Sequence, residues 1–436
     1  MTVTAGAGIR ALFDLPEDIT YLDCAAQGPL LRASHTAGAR GLLRKFHPWT
    51  PERAAFDAEM TAARDLFAGL IGARGEDIAH MGATSYGAAV AGANMAIEPG
   101  QKVLVLEAQF PSNYYVWQRL AARDGGDLKI VPWPEDGDWT AAVLDALGDD
   151  VGLVALPPCH WTDGALLDLV AIADRVHALG AGFFIDATQA AGARPLDVGR
   201  LDPDFMAVSG YKWLLSPDAV GYLYVAPRRQ TGAPIEDNYA TRVAESTMEM
   251  ADGYGADYIP GAARFDQGAA DSMIHLPITV TAMEQISQWT PEGISAGLAP
   301  LTDAVAARAE ERGWRVPAKG RRVDHFIGVW IPDVPADLGQ RLKARGVYTS
   351  LRGGAVRVTV TGKGEMRGVK IDPSAFDAED IGMLEDMICL AANNARAEAD
   401  AAMAAKMKDI TGGLPLPPGM SLPFGARVPW TRSSIP

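Results

Sequence analysis

Cysteine is nearly missing from this sequence: Cys24, Cys159 and Cys389 stand far apart among 436 residues, odd in number and never in a CxxC pair. That excludes a disulfide framework and a zinc ribbon, and it makes a reducing cytoplasm the default compartment. Long hydrophobic runs are missing too. None approaches the roughly 18 residues that a membrane helix needs, so no membrane partner is expected. The first residues, Met1-Thr2-Val3-Thr4-Ala5-Gly6, have no basic stretch and no apolar core, so no signal peptide is expected. Positive charge is in short supply. A formal net charge of −15 argues against a nucleic-acid or anionic-membrane partner, because neutralising phosphates takes clustered Lys and Arg. No GxxxxGK[ST], HExxH or EF-hand pattern occurs, and no metal site is expected. Gly6-Ala7-Gly8-Ile9-Arg10-Ala11 precedes any strand and lacks the third glycine of a dinucleotide fingerprint.

What is present describes a globular chain: 48% of residues are apolar and 21% charged, enough to bury a large core. Short apolar runs alternate with helical spacing from about residue 75 to 230. The runs are 102–107, 128–131, 151–156, 183–186, 205–208 and 220–225; helical patterns cover 112–122, 140–147 and 166–179. This alternation predicts an α/β fold, a mostly parallel sheet between helices whose ligands bind beyond the strands' C-terminal ends. After about 275 the pattern changes to a helix over 275–289, strands at 324–331 and 356–360, and helix over 378–407, which predicts a smaller α+β C-terminal domain. The last 25 residues hold six prolines and read as an extended tail. The expected organisation is an N-terminal segment 1–20, a large domain 21–274, a small domain 275–411 and a tail 412–436.

Two strand ends carry chemistry. Phe183-Phe184-Ile185-Asp186 delivers a carboxylate, and Phe205-Met206-Ala207-Val208 is followed closely by Lys212. Pyridoxal phosphate (PLP) needs such a pair, a lysine for its aldehyde and an acid for its ring nitrogen. Taken alone, the two residues read equally as a buried ion pair or as unrelated loop residues. Gly82-Ala83-Thr84-Ser85 opens a small-residue helical stretch to Met95, which fits either a phosphate site at a helix N-terminus or an ordinary cap. The adjacent pair Cys159-His160 reads poorly as nucleophile and base, since neighbours point apart.

The motifs taken together do more. In order they are Tyr21-Leu22-Asp23-Cys24-Ala25-Ala26, Gly82-Ala83-Thr84-Ser85, Phe110-Pro111-Ser112-Asn113, Asp186-Ala187-Thr188-Gln189, Ser209-Gly210-Tyr211-Lys212-Trp213-Leu214-Leu215, Arg264-Phe265-Asp266-Gln267-Gly268 and Val356-Arg357-Val358. With them the chain resembles the class V aminotransferase family of PLP-dependent fold type I enzymes, whose members include cysteine desulfurases, kynureninase and isopenicillin N epimerase. The resemblance implies a homodimer with active sites at the interface. It also implies a PLP cofactor and a small-molecule α-amino acid substrate processed through an external aldimine.

It implies residue roles as well. Lys212 would hold PLP and move the substrate's α-proton, and Asp186 would keep the ring nitrogen protonated. Gln189 would donate to the ring's phenolic oxygen, and Phe110 would stack on the ring. Ala83, Thr84, Ser209 and Tyr211 would hold the phosphate. Trp161 falls where relatives carry a polar residue near the phenolic oxygen, with His160 beside it as a further proton donor or a structural histidine. Arg357 would bind the substrate carboxylate, a task that suits its forked guanidinium.

Departures narrow the reaction. Residues 347–354, where desulfurases keep a persulfide-forming cysteine, hold none. Ala269 stands where relatives place a threonine that reaches the partner subunit's phosphate. The expected activity is therefore a carbon–sulfur-type lyase or epimerase of this family. The alternatives are an aminotransferase passing its amino group to a 2-oxo acid and, in another class, a non-catalytic PLP-binding regulatory protein.

Overall fold

Val, Leu, Ile and Phe dominate the strands of the central sheet because both of its faces are covered. In this computed structural model, residues 7–243 and 257–351 are described apart from 333 and 336, together with the backbone of 356–360 and 366–371. The strands are β1 (Thr20–Tyr21), β2 (Ile78–Met81), β3 (Lys102–Leu106), β4 (Asp127–Val131), β5 (Val151–Leu156), β6 (Gly182–Asp186), β7 (Phe205–Ser209), β8 (Gly221–Val225), β9 (Val347–Tyr348), β10 (Val356–Val360) and β11 (Met366–Ile371). Seven form one sheet in the order β2-β8-β7-β6-β5-β3-β4. β8 runs antiparallel to both its neighbours, and the other pairings are parallel. The α/β expectation holds, and the strand ends lie within a residue or two of those read from sequence.

Alternate residues of each strand enter different cores. Leu104, Leu106, Val154, Leu156, Phe183, Ile185, Met206 and Val208 pack on one face. Val103, Val105, Leu153, Ala155, Phe184, Phe205 and Ala207 pack on the other. A two-residue period with both faces apolar gives a continuous apolar run, the mark of a buried parallel strand. Fully burying each of the larger side chains contributes about 1.5–3 kcal/mol. The helix Thr84–Asn94 lies so close to the sheet that a Cβ on Gly87 would stand 2.6 Å from Met81 Sδ and 2.9 Å from the Ala207 Cβ.

The chain groups into two compact units, Met1–Ser350 and Leu351–Pro436. Helix His275–Trp289 lies against helices Arg32–Phe46 and Arg53–Ile71, and Thr279 Oγ1 bonds the hydroxyls of Ser216 (2.5 Å) and Tyr222 (3.3 Å). The strand expected over 324–331 does not form. Its backbone changes partner every few residues, with Val323 N–H on Gly164 O, Gly328 N–H on Asp163 O and Trp330 bridged to Arg315. A ladder needs one continuous partner, and this segment turns from the 163–164 stretch to Arg315.

The 356–360 strand is present, in an antiparallel hairpin with β11 that sets Arg357 opposite Lys370. The expected helix over 378–407 and the tail 412–436 lie outside the described residues. No helix among the described residues is long and apolar enough to cross a membrane.

Candidate active site

The loops after β2, β3, β5, β6 and β7 share one edge of the sheet, as expected where parallel strands end together. They line a cleft with a cavity volume of about 90 Å³. Ala83, Thr84, Phe110, Trp161, Asp186, Gln189, Ser209, Tyr211 and Lys212 all line it. Ser85, Gln109, Ser112, Asn113, Pro157, Cys159 and Thr188 line it too, and the sequence reading gave none of these a role.

Asp186 ends β6 and is buried. Burial pushes its carboxyl up, while bonds from Thr188 and the charge of Lys212 oppose that rise. Its Oδ1 accepts the Thr188 N–H at 3.1 Å. Lys212 is 5% exposed, and its Nζ lies 5.5 Å from the centre of the Phe110 ring and 5.8 Å from that of Tyr211. It sits in a tight loop where Gly210 N–H bonds Val220 O and Ser216 N–H bonds Gly210 O. Leu215 and Ala219 of this loop take positive φ (50° and 61°), a conformation that costs non-glycine residues energy and is common near functional sites. The stretch around Gly28 covers the loop: Gly28 N–H donates to Tyr211 O at 2.7 Å. A Cβ on Gly28 would stand 2.1 Å from Lys212 O, so only glycine fits there.

At the other end of the cleft, three hydroxyls interlock. Thr84 Oγ1 lies 2.6 Å from Thr188 Oγ1 and 2.8 Å from Ser209 Oγ. Thr84 N–H donates to Ser209 Oγ at 2.9 Å, and Ser209 N–H donates to Thr188 Oγ1 at 3.2 Å. The mesh sits at the start of the 11-residue helix Thr84–Asn94, whose first N–H groups favour an anion. Its third member, Thr188, lay inside a motif read from sequence, but only folding brings it within reach of Thr84.

Gln189 is held at both ends. Its Nε2 donates to Ala25 O at 2.9 Å, and its Oε1 accepts the Trp213 indole N–H at 2.9 Å. Phe110 meets Trp161 edge-on at 5.2 Å, and the Trp161 indole N–H is anchored on Ala108 O at 2.7 Å. His160 bonds Thr162 Oγ1 and Glu107 O and stacks on Trp139. Burial pulls its pKa down to about 4, so it is a structural histidine. Cys159 is buried with its thiol pushed up, and Cys24 is raised to about 11 by burial and by Asp23. Neither is an activated thiolate.

These donors fit PLP. The cleft offers an amine for the aldehyde, a buried acid for a ring N–H, a phenyl face, and a hydroxyl mesh at a helix start for phosphate. No arginine is among its described lining residues. Arg357 instead lies on β10, in the Leu351–Pro436 unit, and its side chain is outside the described residues.

Comparison with known proteins bears on both units. The aminotransferase class-V family model matches residues 48–242, and the YbaB/EbfC DNA-binding family model matches residues 336–414. The isopenicillin N epimerase of Streptomyces clavuligerus is 30% identical over 71% of this chain and 77% of its own. The nucleoid-associated protein Atu0095 of Agrobacterium fabrum is 48% identical over 20% of this chain and 79% of its own. Among solved structures, a C-DES mutant with glycine covalently linked to its PLP cofactor superposes with a TM-score of 0.68 at 18% identity, covering 88% of this chain and 98% of that one.

The DNA-binding family match overturns the expectation of no nucleic-acid partner. A net charge summed over the whole chain hides a basic excess in the first half of the matched stretch, which as a whole balances eleven basic against eleven acidic residues. Between Leu338 and Ile371 the sequence carries Arg341, Lys343, Arg345, Arg352, Arg357, Lys363, Arg367 and Lys370 against Glu365 alone.

Proposed function

The chain belongs to the class V aminotransferase family of PLP-dependent enzymes, with a C-terminal segment of the YbaB/EbfC family, and we propose that it acts on an α-amino acid as a carbon–sulfur-type lyase or epimerase. When bound, PLP supplies an electron-withdrawing ring. Lys212 holds the cofactor and takes the substrate's α-proton on Nζ. Asp186 keeps a proton on the ring nitrogen, Phe110 and Trp161 exclude water from the ring, and the Thr84–Thr188–Ser209 mesh binds phosphate.

The observation that carries this reading is the distribution of proton-moving groups. Lys212 is the one amine among the described lining residues, and it faces the non-titrating ring of Phe110 and the phenol of Tyr211. Burial pushes Tyr211 and Cys159 up, so both keep their protons. Elimination needs only Lys212 to take the α-proton, whereas a two-base epimerisation also needs a donor that returns a proton to the opposite face, a part open to the protonated Tyr211; Lys212 therefore carries both readings. The unactivated thiols support chemistry without a persulfide.

The test is a panel of amino acids assayed in parallel for sulfide or ammonia with keto acid, for loss of chirality, and for amino transfer to a 2-oxo acid. Transfer without elimination would make the chain an aminotransferase instead. Exposed Leu42, Leu43, Phe46 and Trp49 support a homodimer in solution, tested by sedimentation. For the C-terminal segment we propose contact with DNA, carried by its run of basic residues.

A further inference from the structure

The imidazole of His325 lies behind the cleft, outside its lining, in the segment where a strand was expected. It is 5% exposed, and its Nε2 is 2.6 Å from the carbonyl oxygen of Gln189. A carbonyl only accepts, so Nε2 carries the hydrogen. The environment keeps the ring neutral: burial, with Arg194 adding to it, lowers the pKa to about 4 against the opposing effects of the Gln189 bond and Asp324. Nδ1 is therefore a bare acceptor, and it is buried with no partner. A leucine or phenylalanine of similar bulk would avoid that cost, so the N–H must be what the site requires of this residue.

The position is braced on both sides. Ser295 Oγ donates to Asp324 Oδ2 at 2.6 Å, and Thr302 Oγ1 donates to Asp324 O at 3.1 Å. Trp213 meets the imidazole edge-on at 4.6 Å and stacks on Phe326 at 6.1 Å. Trp213 also directly follows Lys212. Gln189 is thus gripped four ways: His325 and Cys159 donate to its carbonyl, Trp213 donates to its Oε1, and Ala25 O accepts from its Nε2. An amide nitrogen carries two hydrogens, so one N–H remains on a side chain whose every other direction is fixed.

We propose that His325 is a positioning residue that aims the remaining Gln189 N–H into the cleft, toward the phenolic oxygen of the bound cofactor. It touches neither cofactor nor substrate; it acts through the Gln189 backbone and the edge of Trp213. An N–H held on that oxygen favours its ionised form, so a loosened Gln189 raises the pH at which the cofactor's visible absorption changes. The inference rests on the PLP reading above.

The experiment is a spectral pH titration of the full-length, PLP-loaded protein. His325→Leu is expected to shift the midpoint upward by about one unit, and His325→Gln, whose amide can reach as Nε2 does, is expected to restore it. In a Gln189→Ala background, His325→Leu should shift it no further. A folded His325→Leu protein with an unchanged midpoint overturns the inference, and so does a full additional shift in the Gln189→Ala background. Should His325→Leu fail to fold, His325→Asn takes its place, since its shorter amide does not reach the Gln189 carbonyl as Nε2 does; an unchanged midpoint there overturns the inference equally. A wild-type protein with no cofactor band would instead overturn the PLP reading.

Discussion

In the Met1–Ser350 unit, residues more than a hundred positions apart meet side chain to side chain: Thr84 bonds Thr188 across 104 residues and Ser209 across 125. In the C-terminal unit the described pairing is local, a hairpin joining 356–360 to 366–371. Both regions supplied motifs to one family resemblance, and those of the first unit converge on one sheet edge. Val356-Arg357-Val358 lies within the stretch matched by a different family, and the Arg357 side chain is outside the described residues.

Lys212→Ala tests that contrast most severely. It should abolish borohydride trapping of the cofactor and cost at least about 10²–10⁴-fold in turnover; a surviving trapped adduct would place the cofactor elsewhere. Asp186→Asn should keep cofactor binding and lose roughly 10²-fold in turnover, because a neutral amide no longer holds a proton on the ring nitrogen. Turnover equal to wild type would remove Asp186 from the mechanism.

Stability against pH probes the same unit. His80, His160 and His325 have folded pKa values of about 3, 4 and 4, so below about 6.5 the unfolded chain takes up three protons that the fold refuses. Asp163 and Asp266, raised to about 6 by burial, work the other way, taking up two protons in the folded state as pH falls from 6 toward 3.8. The unfolded state keeps a net excess of one proton, so stability should fall by about 3 kcal/mol between pH 6.5 and 4. A flat denaturant midpoint over that range would contradict the buried-histidine geometry. The smallest expected effect is that of Arg357→Ala. It should leave the KM for amino acids unchanged and weaken salt-sensitive DNA retention, reducing the salt slope by about 1. A KM raised tenfold would return Arg357 to the substrate carboxylate and undo the comparison between the units.

How much was legible depends on what each segment packs against. The strands 102–106, 151–156 and 205–209 were readable because burial on both faces leaves no polar interruption. β2 was missed: Ile78-Ala79-His80-Met81 is short, and its histidine is buried only because Met60 O lies 3.1 Å from its Nε2. The helix Pro291–Glu310 was missed because Gly293, Gly297 and Pro300 suppress its local signal, although tertiary packing sustains it. The segment 324–331 looked like a strand because it is rich in aromatic and β-branched residues, but its rings pack against Trp213 and Trp133 instead of pairing in a ladder.

The sequence by itself determined the family and with it the cofactor, because seven short motifs in order, each ambiguous alone, are local signals that survive translation into residue types. The tertiary structure alone decided which groups hold those residues in place. Thr188 joins a hydroxyl mesh, Gln189 is gripped by His325 and Trp213, and Arg357 is placed in the other unit. The first two depend on contacts between residues distant in the chain, and a pattern read along the chain carries no distances.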